Sequence, residues 1–187
     1  MISIKGKQVQ AIRWDQVRGV QKIYATGTSN SPQQYLLYPP GDEEPVVLDR
    51  ITSGFWILGK QIEREVTQYL LPKALATYKA GETLNFGALN VNSQGLSLKE
   101  TPKNLPWEKL GYIGEYRGYL VIKERGTLST WKNIDVADII NLCVLLPLIK
   151  KVKYESNMSE HSQRSWSYPV LTNQDAQQSE WQEYELQ

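Results

Sequence analysis

The stretch Ala11-Ile12-Arg13-Trp14-Asp15-Gln16-Val17-Arg18-Gly19-Val20 returns in altered form as Asn104-Leu105-Pro106-Trp107-Glu108-Lys109-Leu110-Gly111-Tyr112-Ile113. In both copies an apolar residue stands two places before the tryptophan, an acid follows it, and aliphatics stand three and six places after it. Self-similarity of this kind marks a structural unit used twice, since each copy needs the same internal fixtures. Trp14 and Trp107 therefore read as matching structural positions, in the core or at its edge, with Asp15 and Glu108 pointing outward.

The surroundings repeat as well. A β-branched and aromatic run follows each motif, at residues 35–38 and 119–122. Each run then turns, through Pro39-Pro40-Gly41-Asp42 or Glu124-Arg125-Gly126-Thr127, into another strand and then a helical stretch. In the second copy Leu84, Phe86, Leu89 and Val91 alternate before the turn Asn92-Ser93-Gln94-Gly95, which predicts an additional hairpin with a return strand through Leu96 and Leu98. Nothing equivalent is expected before Trp14, so the first copy reads as short by a hairpin. The fold class is α+β: a small antiparallel sheet followed by an amphipathic helix, twice.

Phe55, Leu58, Ile62, Val66 and Tyr69 keep helical spacing, with Lys60, Glu63 and Arg64 on the wet face. Thr52 or Ser53 is the expected N-cap, Pro72 the expected kink or break, and Gly81 the C-terminal stop. The second helix has two candidate caps, Asp135 and Asn141. The order of the first copy favours Asn141, Pro147 is awkward for either, and Lys150, Lys151 and Lys153 suit the negative end of its dipole. The divisions that follow are 1–80, 81–153 and a tail, 154–187, expected to be disordered for want of aliphatics.

Composition narrows the function. With 187 residues, 41% hydrophobic and 22% charged, the chain is an ordinary globular one. No stretch reaches the roughly 20 apolar residues of a membrane-spanning helix, and residues 1–5 lack a signal-peptide core, so a cytoplasmic location is expected. Cys143 is the single cysteine and sits in an apolar run, which rules out an internal disulfide and leaves too few thiolates for a zinc site. To Tyr154 there are 20 Lys and Arg against 14 Asp and Glu; from Glu155 onward, one Arg stands against six acids. A basic body thus carries an acidic tail.

Enzymatic chemistry finds no foothold. The only histidine, His161, lies in the expected tail, and no Walker loop, dinucleotide glycine pattern, HExxH or nucleophile elbow occurs. Asp42-Glu43-Glu44 falls in a turn, and Glu63 and Glu65, two apart, cannot share a helix face. No catalytic residue, metal site, cofactor, small-molecule substrate or specific nucleic acid is expected.

Trp14-Asp15, Trp107-Glu108, Ile62-Glu63-Arg64-Glu65-Val66 leading into Leu70-Leu71-Pro72-Lys73-Ala74-Leu75, and Gly81-Glu82-Thr83-Leu84-Asn85-Phe86-Gly87 carry a resemblance. Across residues 9–152 the chain resembles an uncharacterised bacterial family whose soluble part is read as tandem pleckstrin-homology-like units. The resemblance implies two such units, the first truncated at its N-terminus. It also implies two membrane-spanning helices and a further hairpin upstream, which this chain starts too late to contain; a truncated or diverged member is expected. No catalytic residues come with the family.

The leading functional expectation is a non-enzymatic binding or scaffold module that recognises a protein partner, its own copies included, through an exposed sheet edge. The alternative is a module peripheral to the membrane, binding anionic surfaces through basic residues of the second sheet. Lys99, Lys103, Lys109, Arg117, Lys123 and Arg125, together with Lys132, are the candidate ligand-binding positions, interleaved with Tyr112, Tyr116 and Tyr119.

Overall fold

A computed structural model describes residues 2–5, 8–11, 13–25, 31–41, 43–127 and 129–164, and the side chains of those between 13 and 153. Met1–Lys151 form one compact unit and Val152–Gln187 another.

The chain opens with a hairpin of β1 (Ile2–Lys5) and β2 (Gln8–Ala11). The sequence reading placed nothing of the kind before Trp14, and the structure corrects it. The signal is two four-residue strands of bare alternation, Ile2 and Ile4 then Val9 and Ala11, without aromatics to reinforce it. A 3-10 turn at Trp14–Gln16 leads into an antiparallel meander of β3 (Gly19–Ile23), β4 (Gln34–Tyr38) and β5 (Val46–Asp49). Helix α1 (Phe55–Lys79) follows. The second half has a four-stranded meander of β6 (Leu84–Asn85), β7 (Leu89–Asn92), β8 (Gly95–Leu98) and β9 (Asn104–Pro106). A 3-10 turn at Trp107–Lys109 then leads to a three-stranded meander, β10 (Leu110–Tyr116), β11 (Tyr119–Glu124) and β12 (Thr130–Asp135). Helix α2 (Leu142–Arg164) closes the order. The protein is α+β, with open antiparallel sheets and, among the described residues, two α-helices.

Alternation decides which strand faces turn inward. Leu120 and Ile122 on β11 and Ile134 on β12 are buried, as are Leu89, Val91, Leu96 and Leu105 in the four-stranded sheet. Leu142, Val144, Leu145, Leu148 and Ile149 supply the buried stripe of α2. On α1 the stripe is Phe55, Gly59, Ile62 and Val66. Gly59 is there because a Cβ would lie 2.4 Å from the Tyr35 ring, so helix and strand touch where only glycine fits.

The helix ends partly depart from expectation. Neither Thr52 nor Ser53 caps α1; Gly54 does, in the left-handed region (φ 71°), while Asp49 Oδ1 takes the Ile51 amide and the Thr52 hydroxyl. The other end matches: Gly81 (φ 82°) donates to Tyr78 O and Glu82 to Thr77 O, the paired closure of a Schellman motif. α1 runs without a break through Pro72, which is exposed, so the missing amide bond falls on the hydrated side. Asn141 occupies the turn into α2, its carbonyl accepting from the Val144 and Leu145 amides, but its side chain caps nothing in the helix. It reaches β3 instead, Oδ1 accepting from the Val20 amide (2.9 Å) and Nδ2 donating to Arg18 O (3.3 Å). Asp135 caps only a short 3-10 turn, Val136–Asp138. Lys150, Lys151 and Lys153 lie within α2, which continues to Arg164. Residues 165–187 of the expected tail are outside the described residues.

Pro147 has no N–H to offer Cys143 O one turn back, and a carbonyl so orphaned inside a helix needs another donor. Thr67 of α1 supplies a shared one: its single hydroxyl hydrogen is divided between Cys143 O, 2.9 Å from Oγ1, and Glu63 O, 2.6 Å from it. Thr67→Val is expected to destabilise the chain by about 1–2 kcal/mol. In a Pro147→Ala background, where residue 147 donates again, the same substitution costs distinctly less. Chemical denaturation of the four members of this cycle reads the difference.

Candidate functional site

Inward-facing strand positions carry charge at two places. Lys22 shares the face of Val20 on β3, and Glu115 shares that of Ile113 on β10. The two meet: Lys22 Nζ lies 2.6 Å from Glu115 Oε2 and 3.4 Å from Glu63 Oε1 on α1, with only 9% of the lysine side chain exposed. Tyr24 OH donates to Glu115 Oε1, and Tyr35 OH donates to Glu63 Oε1 at 3.2 Å. Lys60, largely in solvent, pairs with Glu63 Oε2 at 3.0 Å. Two ammonium groups thus face two carboxylates. Burial, and then the adjoining Glu115 and Glu63 carboxylates, push the Tyr24 and Tyr35 hydroxyls well above the ordinary tyrosine range, so both remain protonated donors.

Clefts open on either side of this cluster. One, of about 470 Å³, runs past Tyr35, Trp56, Tyr116 and Arg117; the other, of about 500 Å³, reaches Thr67 and Cys143. Burial raises the Cys143 thiol to about 11, which leaves little thiolate near neutrality. Among the described residues no group of three or more His, Cys, Asp or Glu side chains could hold a metal ion.

Glu63 is expected from the sequence on a solvated helix face, and nothing in the sequence singles out Glu115. Both are largely buried instead, with 16% and 24% of their side chains exposed. The available signal was opposite charges at core-facing positions of two strands, but pairing them required knowing that β3 and β10 converge.

The predicted basic residues separate into two groups. Lys109 and Arg125 adjoin where β10 begins, Arg125 N donating to Lys109 O, and Lys123 stands nearby on the outer sheet face opposite Tyr112. Lys103 reaches the same end, its Nζ 5.6 Å from the Trp131 ring centroid and 3.3 Å from Trp131 O. Lys99 is exposed just beyond β8, and Lys132 is exposed on β12. Arg117 occupies the β10–β11 turn at the far end, roughly 20 Å away across the seven residues of β10, with its guanidinium over Tyr116. Tyr112, Tyr116 and Tyr119 are exposed on the outer face with Lys123. Trp14 and Trp107 each begin a 3-10 turn and are half-buried, with Asp15 and Glu108 exposed. Trp107 Nε1 donates to Asn92 O, and its ring meets Tyr78 edge-on.

A second feature has no forecast in the sequence. Val47, Ile51, Trp56 and Ile57 are exposed, Ile51 at 92% and Ile57 at 80%, and together they surround the passage from β5 into α1. Arg50 lies over the Trp56 ring, 5.3 Å from its centroid. β5 is an edge strand, and among the described residues no strand pairs with its outer side. The outer side of β3, by contrast, meets Ile140 through a bridge at Gln21.

A family model covers residues 1–158, and the chain belongs to that family, a family of unknown function (DUF6585). No curated protein and no solved structure matches it. No helix among the described residues is long and apolar enough to cross a membrane.

Breaking the buried cluster at its centre leaves two carboxylates short of a cation. Lys22→Met is expected to cost about 3–5 kcal/mol, whereas Lys60→Met, 76% exposed at its side chain, should cost under about 1 kcal/mol. Urea titrations of the two variants make the comparison.

Proposed function

We propose that this protein is a non-enzymatic binding module of two pleckstrin-homology-like halves that recognises a protein partner along the β5 edge. Support for the two-unit reading comes from the recurring order of a tryptophan-led 3-10 turn, a three-stranded antiparallel meander and a helix. The observation that carries the functional reading is the apolar group at the edge. Of the seven exposed large hydrophobic side chains among the described residues, four fall within residues 47–57. An unpaired strand edge offers backbone donors and acceptors, and apolar neighbours supply the area that makes docking favourable. The pairing of Glu63 and Glu115 with lysine and tyrosine partners inside the chain supports the non-enzymatic side of the proposal.

A photo-crosslinking residue in place of Ile57 should trap a discrete protein adduct in cells, lost when Val47→Lys is added. The same residue in place of exposed Glu82 should trap none. Equal labelling from both positions would sink the proposal.

A second reading, a peripheral module for anionic membrane surfaces, is favoured by the exposure of Tyr112, Tyr116 and Tyr119 on the same face as Lys123. It predicts salt-sensitive sedimentation with acidic vesicles, abolished by reversing Lys99, Lys103 and Lys123. Sedimentation indifferent to salt and to those reversals excludes it.

A further inference from the structure

We propose that the outer face of the β10–β12 sheet is a stacking platform for single-stranded RNA, bound without preference for sequence. This sheet is not the one that carries the β5 edge, so neither surface needs the other.

Of the seven exposed large hydrophobic side chains among the described residues, the three away from β5 are Tyr112, Tyr116 and Tyr119. Alternation gathers them on one face. Tyr112 pairs with Lys123 and Tyr116 with Tyr119, whereas the pairs Ile113–Ile122 and Glu115–Leu120 belong to the inner face. A Cβ on Gly114 would overlap the Tyr112 hydroxyl, so this ring lies along the strand over the glycine instead of standing off the sheet, and half of the residue stays exposed. Rings held in this way offer π-faces, on which any base stacks.

Cations flank the rings at both ends of β10, whose seven residues span about 20 Å. At one end Arg117 takes the left-handed backbone (φ 50°) at a hairpin position usually given to asparagine or glycine, and its guanidinium lies 5.3 Å from the Tyr116 ring centroid. At the other end Lys123 stands opposite Tyr112, with Lys109 and Arg125 close by. None of these four cations forms an ion pair among the described residues. The acid on this face is Asp135, opposite Tyr119, and its Oδ1 accepts from the Ala137 amide. Exposed rings bracketed by unpaired cations complement a strand that repeats its negative charge along its length and leaves its bases free to stack. An anionic bilayer is met by clustered cations, whereas here they are divided between two ends. Asn133 and Thr130, exposed opposite Val121 and Lys123, supply the polar groups that a 2′-hydroxyl can bond, which favours RNA over DNA.

Fluorescence anisotropy of a labelled oligouridylate of about eight nucleotides, titrated with the full chain at low salt, should show saturable binding that weakens as salt rises. Tyr112→Ala and Tyr116→Ala should each lower the affinity about tenfold, while Tyr112→Phe and Tyr116→Phe, which keep the ring, retain it. Lys123→Ala should reduce the slope of log affinity against log salt by about 0.7. Circular dichroism checks that the variants keep the fold. Absence of binding overturns the proposal, as does binding indifferent to the alanine substitutions, which is charge adhesion without stacking. Equal affinity for duplex RNA or for the matching oligodeoxynucleotide overturns it too. If the oligouridylate does not bind and the alanine variants lose acidic vesicles that the unaltered chain retains, the face belongs to a membrane surface instead. The Ile57 crosslink tests the β5 edge separately, so either surface can fail alone.

Discussion

An ammonium group taken out of water must be met by anions, and Lys22 is the place where this protein accepts that condition. The lysine is inward because it alternates with Val20 on β3. Its two carboxylates come from α1 and from β10, so the first sheet, the first helix and the last sheet have to converge on one point. Removing any one of them exposes or strands a charge belonging to another. Tyr24 and Tyr35 complete the arrangement by occupying the carboxylate oxygens as protonated donors, which leaves the cluster electrically and geometrically closed.

The same dependence governs the backbone. Residues 138–141 run between the two halves: Ala88 N donates to Asp138 O, Ile140 N to Phe86 O, and Asn141 N to Val20 O. Gly87 permits this approach, because at φ 87° a Cβ would lie 2.2 Å from Asp138 O. Asn141, itself left-handed at φ 59°, commits its amide side chain to β3. Pro147 orphans a carbonyl in α2, and α1 answers with Thr67. Asn141 and Pro147 in the second half thus meet partners in the first, and residues 1–151 form one compact unit although the element order is written twice.

Against this interior, the β5 edge has no strand partner among the described residues, and Val47, Ile51, Trp56 and Ile57 beside it are exposed. A strand of four residues ending in an exposed turn is a weak template alone, and charge or proline is the usual protection for such an edge. Pro45 and Glu44 are present, yet Ile51, Trp56 and Ile57 leave apolar area exposed beside it. That contrast directs attention to association at this edge rather than to chemistry in the clefts.

The sequence by itself determined the elements, because their signals are local. The tryptophan motifs, the strand runs at 35–38 and 119–122, the hairpin after Leu84, the stripe of α1 and its closure at Gly81 depend on periodicity and turn chemistry within a few residues. The β1–β2 hairpin was missed for the same reason, its local signal being faint. Tertiary structure decided what each charge and polar side chain does, since burial and pairing arise between residues far apart in the chain: Lys22 with Glu115, Thr67 with Cys143, Asn141 with Val20. The basic residues illustrate the converse, for a run of lysines and arginines in sequence divides between two ends of a sheet once alternation and strand length are imposed. Solvation is a property of the assembled surface, so only the fold could show that Glu63 and Glu115 are sheltered while Ile51 and Ile57 are bare.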